Sequence, residues 1–449
     1  MRKKNRLVWF FVVLLLVVGV VIGIPQLRER VFTQIDDWRI QVRAALFPVT
    51  EQAFVPEGVT LPTVTLSSVD RAAATATRVP PTAAPTRTPL TPQPTYTPTL
   101  TPTALPASIT LTGVKWESQN GAWNYCGPTN LSMLLSYWGW QGNKFDTGHY
   151  LKPFDYDYNV MPYEMLNYVQ DKTQLGALVR MGGTVTLLKS LIANGFPVLV
   201  EKGVYFEETA THQLGWMGHF TVLTGFDDKK SQFISQDSYI RPDYPITYDQ
   251  LVKEWRAFNY VFLVAYSPEK KVKLDSVLGD YADETSAYQM AFKKASDEVY
   301  KLTGVDQYFA WFDRGTSQVN LQDYAGAADS YDTAFNLYPG LPEKDRPWRM
   351  MWYQTGPYFA YYYSGRYQDV INLATSTLDF IKSRADRLGI STQPQVGQFI
   401  EETWYWRAMA RLVVGDRQGA IDDLKMALKY HPSFIPAVDQ LAKLGVPLN

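Results

Sequence analysis

Between Pro80 and Pro106 the chain holds 9 Pro and 9 Thr in 27 residues. A stretch of that composition cannot bury a core, and prolines this frequent remove the N–H donors that helix and sheet require. It divides the chain, so whatever folds does so before it or after it. Its residues predict an extended, polyproline-biased linker reaching on the order of 80 Å when stretched. Residues 56–79, already rich in Thr, Val, Ala and Ser, lengthen it into a stalk over residues 56–108.

Ahead of the stalk, Arg2, Lys3, Lys4 and Arg6 precede an uncharged apolar run from Leu7 to Ile24. At helical rise that run spans about 27 Å, the thickness of a bilayer core. It leaves through Pro25, Gln26, Leu27 and Arg28, without the small-x-small site of a cleaved signal peptide. Residues 1–25 therefore read as a transmembrane signal-anchor. The basic tip keeps the amino end cytoplasmic and sends the remainder outward. A single-pass cell-membrane protein with extracytoplasmic carboxy-terminal domains is the expectation. Residues 26–55 place Val31, Ile35, Trp38, Val42 and Leu46 at near-helical spacing; a juxtamembrane helix and a solvated spacer both fit.

Two folded units follow. Residues 109–270 mix helical patterns with β-like runs at Phe196–Val200, His219–Phe226 and Tyr260–Tyr266, which predicts an α+β domain. Residues 271–449 carry helix-period patterns rich in aromatics and predict an all-α domain, entered through an amphipathic connector at 279–306. Within it, Trp311, Gly315, Tyr324, Ala327, Tyr331, Ala334 and Pro339 repeat as Trp404, Ala408, Gly415, Ala420, Leu424, Ala427 and Pro432. The spacing fits tetratricopeptide-like repeats, in which small residues let two antiparallel helices close. Arg314 and Arg407 stand where Leu is usual, and Arg417 where Tyr is usual. A degenerate middle repeat shows at Tyr361, Gly365 and Tyr367. Such repeats recruit partners, so a protein partner is expected there and no chemistry.

Lys plus Arg is 43 against Asp plus Glu at 44, and the missing basic surplus argues against a nucleic-acid partner. One cysteine cannot form an intrachain disulfide, and four scattered histidines with it suggest neither a structural metal nor a cofactor.

That cysteine lies in Asn124-Tyr125-Cys126-Gly127-Pro128-Thr129-Asn130-Leu131. Pro128 suits a first helical turn, Leu131, Leu134, Leu135 and Trp138 share a face, and Gly139 ends it. Cys126 thus opens a helix, where the dipole and free N–H groups favour a thiolate. Downstream, 218–226 reads as a strand, Asp227 to Lys230 as a turn and 231–237 as the returning strand. An odd loop centred on Asp228 would set Asp237 directly opposite His219, close enough to orient the imidazole. An even loop would put Asp237 on the other face. With the first register, His219 could take a proton from Cys126.

At this point residues 115–268 resemble papain-like cysteine peptidases of the bacteriocin-leader-processing type, cysteine peptidase family thirty-nine, in stand-alone form. The matching blocks are 124–131, 188–198, 218–222 and Asp237-Ser238-Tyr239. The resemblance implies an α+β papain-like fold, a peptide or protein substrate, Cys126 as nucleophile, His219 as general base and acid, and Asp237 as orienting residue. Such enzymes place an oxyanion-hole Gln five or six residues before the cysteine. Here Gly121 and Asn120 occupy those positions and Gln119 lies seven before, so Gln119 is the candidate, with Asn120 the alternative. No exporting transporter domain accompanies the block, so cleavage after a double glycine is not implied. An inactive peptide- or envelope-binding module, and a thiol acyltransferase or amidase, are the competing functions.

Other residues have plainer readings. His149 and His431 read as surface residues, and His212 lacks co-ligands. Trp123, Trp138, Trp140 and Trp216 either line a cleft or pack the core, and Glu201 either faces the site or meets solvent.

Overall fold

The computed structural model describes residues 105–122, 124–152, 157, 159–207, 214–387 and 398–447. The expected signal-anchor over 1–25, the 26–55 segment and nearly all of the stalk lie outside them, as do Trp123 and His212. Among the described residues no helix is long and apolar enough to cross a membrane.

The first unit opens with β1 (Ser108–Thr110), α1 (Cys126–Ser136), α2 (Lys144–Leu151) and α3 (Pro162–Lys172). Next come β2 (Gly176–Arg180), α4 (Val185–Ala193), β3 (Val198–Glu207), β4 (Leu214–Asp227), β5 (Gln232–Gln236) and β6 (Tyr244–Thr247). It closes with α5 (Tyr248–Arg256), β7 (Phe262–Tyr266) and α6 (Lys271–Leu278). The strands form one antiparallel sheet in the order β2-β7-β3-β4-β5-β6, with β1 also on β4.

Alternation along the central strands divides the core in two. Leu199, Phe220 and Val222 meet Leu131, Leu134 and Leu135 of α1. Val198, Val200 and Phe226 meet Leu188 and Leu191 of α4 and Trp255 of α5. Leu274 and Leu278 of α6 join this second layer, so the sheet's core extends a few residues past the break expected near 270.

The rest is helical: α7 (Glu284–Glu298), α8 (Gly304–Asn320), α9 (Tyr324–Leu337), α10 (Met350–Tyr353) and α11 (Gly356–Tyr363). They are followed by α12 (Tyr367–Arg387), α13 (Glu401–Val413), α14 (Arg417–Tyr430) and α15 (Ile435–Lys443). The two recurring sequence segments fall on α8–α9 and α13–α14. At Gly315 a Cβ would sit 2.8 Å from the Tyr331 ring, which is why a glycine closes that pair. Arg407, at a position where Leu is usual, forms a two-pronged bond to buried Asp423, Nε–Oδ2 2.9 Å and Nη2–Oδ1 2.8 Å. Arg411 Nη1 also reaches Asp423 Oδ2 at 2.8 Å, so the acid explains the arginine: a buried guanidinium needs a carboxylate partner.

The helices and the sheet share a core. Trp216 of β4 stacks on Phe258 and Phe309 and meets Tyr353 edge-on, with ring centroids 5.8, 5.9 and 6.0 Å away. Arg349 Nη1 donates to the Trp216 carbonyl at 3.2 Å and Gln354 Nε2 to the Ala257 carbonyl at 2.6 Å. Trp216 thus packs in the core between sheet and helices. Short α10 is the wedge that brings the helical region against β4.

Candidate active site

Asn124 enters α1 in the left-handed region, φ +55°, a conformation Asn tolerates better than most side chains. Tyr125 caps the helix without a side-chain bond, leaving the first N–H groups free. Cys126 is the first helical residue and is half-buried. Gly127 is required beside it, because a Cβ there would lie 3.0 Å from both Val160 Cβ and Met165 Cε.

Asn130, one turn on, fastens this end of the helix to the sheet. Its Nδ2 donates to the Cys126 carbonyl (2.9 Å), the Phe220 carbonyl (2.8 Å) and Ser238 Oγ (2.8 Å). The Phe220 bond ties α1 to the strand carrying His219, and the Ser238 bond ties it to the segment that follows Asp237.

His219 is 1 % exposed, walled by the Phe206 ring edge at 5.0 Å. Its Nε2 lies 3.0 Å from both Oδ1 and Oδ2 of Asp237. With Nε2 so engaged, Nδ1 is the ring nitrogen left for the Cys126 thiol, which the ring also hydrogen-bonds. Asp237 in turn accepts the main-chain N–H groups of Tyr239 and Ile240, each at 3.0 Å. Its own carbonyl receives Trp116 Nε1 at 3.0 Å.

The facing register expected for His219 and Asp237 is not the one adopted. Asp227 pairs with Gln232 around a four-residue turn, an even loop, and Leu223 pairs with Ser235 across an irregularity at Thr224. An even loop alone would have put Asp237 on the wrong face. The extra residue at Thr224 restores the parity, as a bulge does. Asp237 leaves the strand just after Gln236 and reaches His219 diagonally, while His219 faces Lys202 of β3.

Electrostatics follow from this packing. Burial pushes the Cys126 thiol up, but the His219 hydrogen bond and charge, with main-chain donors at Phe220 and Gly127, more than offset it and leave the pKa lowered. Burial would lower His219, yet the Asp237 charge and hydrogen bond, helped by Cys126, lift it to about 9. Asp237 resists its own burial through the charge and hydrogen bond of His219, with Lys202 and the Ile240 N–H assisting, and is held down at about 2. A thiolate–imidazolium pair backed by a carboxylate is the arrangement these shifts favour.

Gln119 is tied to the same corner: its N–H donates to the Ser238 carbonyl at 2.9 Å and its Oε1 accepts Ser238 Oγ–H at 2.7 Å. Its Nε2 has no acceptor among the described residues, which leaves it available as a donor. Asn120 is exposed.

Two further residues meet the site: Glu201, for which facing the site and meeting solvent were both expected, and Tyr353, which the sequence did not single out. Glu201, cross-strand partner of Phe220, is buried beside the thiol, and burial followed by the Cys126 charge pushes its carboxyl well above the usual range. Tyr353 comes from the helical region. A Cβ on Gly218 would lie 3.2 Å from Glu201 Oε1 and 3.3 Å from Tyr353 Cδ1, so both crowd the residue preceding His219. Of the two readings of Glu201 the buried one holds, while no local signal marks Tyr353.

Compared with known proteins, residues 111–263 match the Peptidase_C39 like family. That is about a third of the chain, and this part is similar to C39-like cysteine peptidases. A crystal structure of a C39-like peptidase candidate from Bacillus anthracis is 15% identical, covering 35% of this chain and 96% of that one, with a TM-score of 0.29. No curated protein matches the chain.

Proposed function

We propose that this protein is a cysteine peptidase, with Cys126 as nucleophile, His219 as general base and acid, Asp237 as orienting residue and Gln119 as oxyanion donor. The observation that carries the reading is the chain of contacts from the Cys126 thiol to the His219 ring to Asp237. The thiolate adds to a peptide carbonyl carbon, and the oxygen takes up the charge facing the Cys126 N–H and Gln119 Nε2. Collapse breaks the C–N bond as His219 delivers its proton to the departing amine. Water, deprotonated by His219, then splits the thioester, releasing the acid and restoring the thiol.

In the same reading the amino-terminal apolar run anchors the chain, the stalk holds the peptidase outside the membrane, and the helix pairs act as tetratricopeptide-like units that recruit substrate or partner. The deciding experiment is labelling by a thiol-reactive peptide probe. The intact protein is modified at Cys126 and turns over peptide, whereas a folded Cys126→Ala chain does neither. Equal labelling of both, or of neither, overturns the proposal.

A further inference from the structure

Where the sheet unit meets the helical region lies a pocket of about 310 Å³ including its solvent mouth. Its acidic lining is Glu164, Glu401 and Glu402. Glu164 is conventionally used: its Oε2 accepts the Met161 N–H at 2.7 Å and caps α3. Glu401 and Glu402 open α13, where the helix dipole welcomes carboxylates, but that leaves half of each unexplained. Glu401 Oε1 meets His431 Nδ1 at 3.1 Å and Glu402 Oε1 accepts Tyr163 O–H at 3.1 Å. Glu402 also receives the Thr355 hydroxyl, whereas Glu401 Oε2 is buried with no hydrogen-bond partner among the described residues. Glu401 is nine-tenths buried. A buried carboxylate oxygen without a donor calls for a donor from outside.

The pocket adjoins the proposed chemistry along two chain segments. Asn159 and Met161 line it, and Val160 between them abuts Gly127, the residue after Cys126. Trp352 lines it too, and its neighbour Tyr353 crowds Gly218 before His219. Asn159 Nδ2 bonds to the Trp352 carbonyl, fixing the two walls together.

The geometry points to a receptor for a primary ammonium group of the substrate, held by Glu401 and Glu402 with Glu164 behind them; this rests on the peptidase reading and names its substrate class. Charge supports it. The nearby basic groups are His431 and Lys152, the latter beside another acid, Asp157. Burial, with the charges of Glu401 and Glu402 overcoming the Met161 N–H, pushes Glu164 up to about 8, so a cation placed here would favour its ionised form. Size selects the cation. The enclosed part admits roughly one water-sized group, which suits a three-donor ammonium better than the broad planar guanidinium. Among the described residues no group of His, Cys, Asp and Glu is placed to hold a metal ion.

An ammonium could come from a lysine side chain or from a peptide's amino terminus. The test uses three quenched-fluorescent peptide pools on a random background. One has blocked ends and a fixed central Lys, one has blocked ends and norleucine there, and one has norleucine with a free amino terminus. Turnover is read with the full-length protein and binding with its Cys126→Ala variant. The Lys pool is expected to exceed the blocked norleucine pool at least tenfold in both readings, and E401Q with E402Q to bring that ratio to about one. Preference for the free-terminus pool instead assigns the ammonium to a peptide end and upholds the receptor. Turnover with equal pools overturns the receptor and leaves the peptidase. Selective binding without turnover of any pool overturns the peptidase and leaves the receptor. The pool comparison needs no pocket variant, so misfolding of E401Q or E402Q cannot obscure it.

Discussion

Asp237 reaches His219 on the diagonal, two carboxylate oxygens 3.0 Å from one ring nitrogen, and the contact exists because the ladder between β4 and β5 slips by one residue at Thr224. Deleting Thr224 would flip Asp237 to the far face while leaving every proposed catalytic residue in the chain. The ΔThr224 chain is expected to lose peptidase turnover by about 10²–10⁴-fold, the usual worth of a positioned acid–base group. The check is steady-state kinetics alongside circular dichroism confirming that the sheet persists.

Stability should record the same pair through pH. His219 is lifted to about 9, so its contribution is complete below its unfolded value of about 6.5 and drains as pH rises through 9. Asp237 is held at about 2, so its contribution is present above about 3.9 and is lost as pH falls through 2. Both hold together from about pH 4 to 6.5. Across pH 2–10 the native chain's thermal stability relative to Asp237→Asn should be greatest in that window and shrink on both sides of it. An unchanged profile in the variant would contradict the pairing.

Alkylation by iodoacetamide tests the thiolate directly. Because the Cys126 pKa is lowered by His219 against burial, modification should proceed at pH values below the ordinary thiol range of about 8.5. His219→Ala should move the midpoint of the rate–pH curve upward.

Gln119→Ala should lower kcat by about 10²–10³-fold with little change in KM, since an oxyanion donor acts in the transition state. Asn120→Ala, at an exposed side chain, should leave kcat within about twofold.

Glu201 is raised by burial and by Cys126, so the folded protein prefers it protonated and its ionisation weakens the fold as pH climbs past the unfolded value of about 4.3. Glu201→Gln mimics the protonated acid and should raise Tm at pH 8 relative to the native chain, with no gain at pH 4. A Tm lowered equally at both values would argue against a buried neutral acid.

Much of this was legible in the sequence because it was local. Pro128 and the Leu131, Leu134, Leu135 face announce a helix with Cys126 at its start. The alternation around His219 announces a strand, and chemistry ties the two to Asp237. The register was not legible, since one extra residue at Thr224 changes which face a strand presents and leaves no mark in composition. Nor were Tyr353 and the Glu401–Glu402 pocket. Both arise where segments more than a hundred residues apart in sequence come together, and a helix N-terminus rich in acids looks ordinary until Glu401 Oε2 is found buried without a donor among the described residues. The small residues at fixed spacing pointed to helices, which the carboxy-terminal region has, and Arg407 has buried Asp423 facing it.

The stacking of Trp216 and Phe258 on Phe309 and Tyr353 also sets a schedule for the newborn chain. Synthesis runs from the amino end, and about 95 residues separate Phe258 from Tyr353. At 5–20 residues per second, roughly 5–20 s pass during which the strand bearing His219 has emerged and its aromatic flank lacks the Tyr353 part of its cover. The thiol cannot acquire its finished surroundings until α10 leaves the ribosome, so maturation of the site is timed by the length of the polypeptide that follows it.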